Sequence, residues 1–80
     1  MTRTQYRAAI AALGVSQAQA AAGAGISRPT IERWLTMRGE TTPETLAKLK
    51  AWAEAQGIRF TSREGRLGIT WPAGLKYKPL

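Results

Sequence analysis

Between residues 17 and 35 the chain reads QAQAAAGAGISRPTIERWL, and the order of its glycines, serine and proline leaves few choices of structure. Gln17 to Ala22 is almost pure alanine, the strongest helix former, and its side chains are small enough for a second helix to lie close across it. Gly23 and Gly25 predict a break, with Gly25 at the corner where a positive φ is needed. Ser27 reads as an N-cap and Arg28 as the first helical residue. Pro29 falls in the first turn, where its missing N–H costs nothing. A new helix is therefore expected from Arg28 to about Met37. Ile31, Trp34 and Leu35, spaced i, i+3, i+4, give it one apolar face, while Arg28, Pro29, Glu32, Arg33 and Thr36 fall on the other.

Eighty residues make one small domain. With no cysteine and no histidine, disulfides, a zinc staple and the commonest acid–base catalyst are absent. Aspartate is missing too, and the five glutamates are scattered, so no nucleophile–base pair and no metal cluster can be assembled. An enzyme is not expected, nor a cofactor or small-molecule ligand. No apolar run approaches the ~20 residues that span a bilayer, and the first residues lack signal-peptide form. The expectation is a cytoplasmic protein without membrane contact. Its net charge of +7 favours polyanionic partners and speeds their association. Residues 1–40 carry +3 and residues 58–80 carry +4, around a neutral 41–57.

The remaining segments complete a mostly α architecture: four helices followed by a C-terminal β-hairpin. Thr4 reads as the cap of a first helix through about Ala12, with Tyr6, Ile10 and Leu13 as its core stripe. Arg3 and Arg7 share another face, either against the phosphates of a polyanionic partner or in solvent. Gly14 ends this helix, and Ser16 caps the next with Gln17 at its start. After the loop RGETT, where Gly39 reads as the stop of helix three, Thr42-Pro-Glu opens a fourth helix by cap, proline and first-turn acid. Leu46, Leu49 and Ala53 face inward. From Gly57 the period changes to two. Ile58-Arg-Phe-Thr and Leu67-Gly-Ile-Thr-Trp alternate as the strands of a hairpin with a turn between them. A lone hairpin is marginal in water, so its apolar face is expected to rest on helix four or on a second copy. The expected divisions are a helical domain 1–57, a hairpin 58–72 and a flexible tail 73–80 that contains Tyr77.

Gln17 opening the first helix of the pair, Ala21 at the crossing, Gly25 in the turn, Ile26 after it, and Ile31 with Trp34 on the buried side resemble the helix-turn-helix of the phage repressor and Cro family, the XRE regulators. Flanking Leu13-Gly-Val-Ser-Gln, Thr45-Leu-Ala-Lys-Leu and Ala55-Gln-Gly-Ile-Arg-Phe extend the resemblance over roughly residues 5 to 72. It implies a sequence-specific double-stranded DNA-binding transcriptional regulator, a repressor, binding a palindromic operator as a homodimer with helix 28–37 in the major groove. Arg28 and Arg33 are the expected base contacts, since a guanidinium bridges O6 and N7 of guanine. Thr30 and Pro29 add short contacts. Gln17, Ser27, Arg38 and Thr41, with Arg7 and Arg3, are the expected phosphate contacts. Glu32 either accepts from a cytosine or braces Arg28. The resemblance also implies a dimer interface on Leu67, Ile69 and Trp71. Trp52 stands where the family tends to have alanine, and is either turned into the core or exposed at the dimer contact. The alternative function is an antitoxin-like protein-binding module on the same helices.

Overall fold

The computed structural model describes residues 1–75; Tyr77 and the rest of the expected tail beyond residue 75 lie outside the described residues. Four helices and a two-stranded antiparallel sheet follow in order: α1 Arg3–Leu13, α2 Gln17–Ala24, α3 Arg28–Leu35, α4 Pro43–Ala55, β1 Arg59–Arg63 and β2 Arg66–Thr70. Among the described residues no helix is long and apolar enough to cross a membrane.

Each helix begins where a short polar side chain can satisfy a free N–H. Thr2 caps α1, in a reciprocal box with Gln5, two residues before the expected Thr4. Ser16 and Gln19 form the same box at α2, and Ser27 and Thr42 cap α3 and α4. Gly14 and Gly25 close α1 and α2 in the left-handed region, at φ 71° and 75°. Gly23 does not break α2 as expected; it remains helical, and its missing side chain makes room for Trp52 of α4. The end of α3 also differs. Met37 takes φ 61°, and the Arg38 N–H donates to the Arg33 carbonyl at 2.9 Å. This left-handed closure stops the helix at Leu35, before Gly39 is reached.

Tyr6 of α1 is fully buried and joins three other elements. Its ring stacks on Phe60 of β1 and meets Trp34 of α3 edge-on, with centroids 6.1 and 5.7 Å away. Its hydroxyl donates to the Leu49 carbonyl of α4 at 3.0 Å. Burial pushes this phenol well above its usual pKa. Leu35, Ile31, Leu49, Ala53 and Ile58 pack with it in the core.

The hairpin turns through Glu64 and Gly65, both at positive φ, as a two-residue loop between right-twisting strands requires. Phe60 pairs with Ile69, Ser62 with Leu67 and Arg63 with Arg66. β2 therefore runs one residue earlier than expected and Trp71 lies beyond it. The sheet leans on α1 rather than α4: the Gln5 amide donates to the carbonyls of the cross-strand partners Thr61 and Gly68 at 3.0 and 2.8 Å. Leu75 N–H donates to the Pro72 carbonyl, and its side chain packs against the core beside Gly57.

Candidate nucleic-acid interface

The face of α3 that enters the core decides what its other face can offer. Ile31 and Leu35 are completely covered and Trp34 nearly so, which leaves Arg28, Pro29, Arg33 and Thr36 exposed and Glu32 and Thr30 half-buried. Arg28 is braced from one turn on, with Nε 2.7 Å from Glu32 Oε1. The Arg33 stem lies over Gly39, where a Cβ would stand 3.3 Å from Cδ. Its guanidinium makes no hydrogen bond to the described residues. Ser27 and Thr30 share a 2.6 Å hydrogen bond between their hydroxyls at the helix start, so both are partly committed to the cap.

Beside this face Gln17, the first residue of α2, comes close to α3. Gln17, Pro29, Glu32, Arg33, Thr36 and Arg38 line one open concavity of about 500 Å³. Two helices and the segment after α3 thus bring together four of the expected contact residues, Gln17, Pro29, Arg33 and Arg38, with Glu32 and Thr36, while Arg28 stands outside the concavity. The concavity has two guanidinium groups and one carboxylate, and it lies at the N-terminal end of α2, where free N–H groups and the helix dipole favour an anion. Thr41 is half-buried in the following loop.

Arg3 and Arg7 take a different place. Arg3 Nε donates to the Trp34 carbonyl at 2.6 Å, and Nη2 donates to the Gly39 carbonyl at 3.2 Å and pairs with Glu40 at 2.7 Å. Its guanidinium also lies 5.9 Å from the centre of the Trp34 ring. Arg7 Nη2 donates to the Leu35 carbonyl. Both side chains therefore reach the last carbonyls of α3, groups that an α-helix leaves without partners of its own. They hold the end of α3 against α1, and Arg7 remains exposed. Their i, i+4 spacing on α1 signalled a shared face; nothing in the sequence signalled that the partners would be main-chain carbonyls more than 25 residues on.

On the hairpin, Leu67 and Trp71 are 56% and 48% exposed, while Ile69 is half-buried opposite Phe60. Leu67 and Ile69, with Gly68, also border an open groove against Thr2, Thr4, Gln5 and Ala8 of the α1 side.

A family model described as Helix-turn-helix matches residues 7–50, more than half of the chain, from α1 to the middle of α4. Comparison with curated proteins gives no match.

Proposed function

Given that the chain belongs to the helix-turn-helix family of XRE-type, DNA-binding regulators, we propose that it is a sequence-specific repressor that binds a palindromic operator as a homodimer. The observation that carries this reading is the burial of Ile31, Trp34 and Leu35, which turns Arg28 and Arg33 outward, Arg33 beside Gln17 and Arg38. α3 enters the major groove. Arg28 and Arg33 read guanines, with Pro29 and Thr30 in shorter contacts at the helix start. Gln17, Ser27, Arg38 and Thr41 meet phosphates along the groove edge. Arg3 and Arg7 serve the site indirectly, by fixing the end of α3.

Leu67, Ile69 and Trp71 offer the apolar surface for a second copy, and two α3 helices then enter successive major grooves about 34 Å apart. Repression follows from occupancy: a domain this small acts most simply by covering a site that transcription needs. The same exposed Leu67 and Trp71 favour the second reading, an antitoxin-like module that grips another protein.

Selection of bound sequences from a random duplex pool tests the proposal. A two-fold symmetric consensus with guanines in each half is the expected outcome. Recovery of unenriched sequence, with binding that is indifferent to base order, contradicts it.

A further inference from the structure

Resting on the reading of Arg28 as a base contact, we propose that Glu32 is a positioning residue that selects which edge of the Arg28 guanidinium is offered to DNA. A guanidinium has two edges able to form paired hydrogen bonds: a side edge made by Nε and one Nη, and an end fork made by the two Nη groups. Glu32 Oε1 accepts from Arg28 Nε at 2.7 Å, so the side edge is committed. Neither Nη of Arg28 donates to a described residue. What remains is the end fork, whose geometry matches O6 and N7 of guanine. Arg33 has no carboxylate of this kind, so the two arginines are not equivalent.

The pair is a surface one, with Arg28 68% and Glu32 43% exposed, and it contributes little to folding. Its consequence lies in binding. A long side chain already held in one orientation loses less freedom on docking. The Glu32 carboxylate also carries negative charge onto a surface that faces phosphates, which lowers affinity for any duplex. These effects have opposite signs: the first sharpens preference at the base pair that Arg28 reads, and the second weakens binding to every sequence.

The experiment compares native protein with Arg28→Ala, Glu32→Ala and Glu32→Gln on duplexes from the selected pool, each carrying one changed base pair, and on one unrelated duplex. Arg28→Ala identifies the base pair whose preference it abolishes. Glu32→Ala is expected to reduce preference at that same pair by about three- to tenfold while raising affinity for the unrelated duplex. Glu32→Gln keeps an acceptor without the charge, and is expected to restore most of the preference while general affinity stays raised. Circular dichroism should be unchanged in all three.

Unaltered preference in Glu32→Ala overturns the proposal. Loss at a different pair overturns it too, because Glu32 then reads a base itself. If Arg28→Ala leaves every preference intact, the failure belongs to the base-contact reading of Arg28. If Arg28→Ala abolishes one and Glu32→Ala spares it, only the role of Glu32 falls.

Discussion

The Trp52 indole lies across the backbone of Gly23, so closely that a Cβ at that position would stand 2.6 Å from Cε2 and 2.8 Å from Cδ1 of the ring. Trp52 is half-buried and packs against the core, and this contact seats α4 on α2, the first helix of the DNA-binding pair.

Gly23→Ala therefore sets two effects against each other. Helix propensity alone favours alanine by about 1 kcal/mol. Displacing a packed indole costs about 1–3 kcal/mol. The expected result is a net loss of stability in urea denaturation, accompanied by a change in tryptophan fluorescence. A more stable Gly23→Ala protein would mean that Trp52 is not held where it is seen.

Tyr6 links stability to alkaline pH. Its phenol is raised in the folded protein above its usual value near 10, because burial disfavours the anion. The unfolded chain thus ionises first. Stability from this group is complete below about pH 10 and declines above it by about 1.4 kcal/mol per pH unit. Tyr6→Phe loses the bond to Leu49, about 1 kcal/mol at neutral pH. It should also flatten the alkaline decline relative to native protein in denaturation curves measured from pH 8 to 11. Equal declines in the two proteins would contradict the assignment.

Gln5 fastens the hairpin to α1. Its side-chain oxygen accepts from the Thr2 N–H at 2.8 Å, while its nitrogen serves the Thr61 and Gly68 carbonyls. Gln5→Ala removes all of these at once, at an expected cost of about 1–3 kcal/mol. Hydrogen exchange should then quicken in β1 and β2 before it does in α3 and α4. Uniform acceleration across the chain would show that the hairpin is held by something other than this side chain.

What could be read before folding was local. Ser27-Arg-Pro, Gly25 and Thr42-Pro-Glu mark helix ends through bonds within three or four residues, and the spacing of Ile31, Trp34 and Leu35 fixed which face of α3 turns inward. What could not be read depends on distant partners. The anchoring of Arg3 and Arg7 to α3 went unseen because their acceptors, the Trp34, Gly39 and Leu35 carbonyls, carry no side-chain signature. The role of Gln5 had no sequence signal for the same reason, since its acceptors are the Thr61 and Gly68 carbonyls. Gly23 looked like a helix breaker because the ring that needs its bare backbone stands on α4. The stop at Met37 was displaced from Gly39 because the closing bond at Arg33 needs a left-handed residue four positions on, whatever its side chain.

The outward setting of Arg28 and Arg33 is tested most directly by the double substitution Arg28→Ala/Arg33→Ala, titrated against the selected duplex and a scrambled one at several salt concentrations. For native protein with about eight phosphate contacts the expected log–log salt slope is near −7. The double variant should stay folded, lose its preference for the selected duplex and retain weak, salt-dependent binding to both. Undiminished preference in a folded double variant would contradict the assignment of α3 as the reading helix.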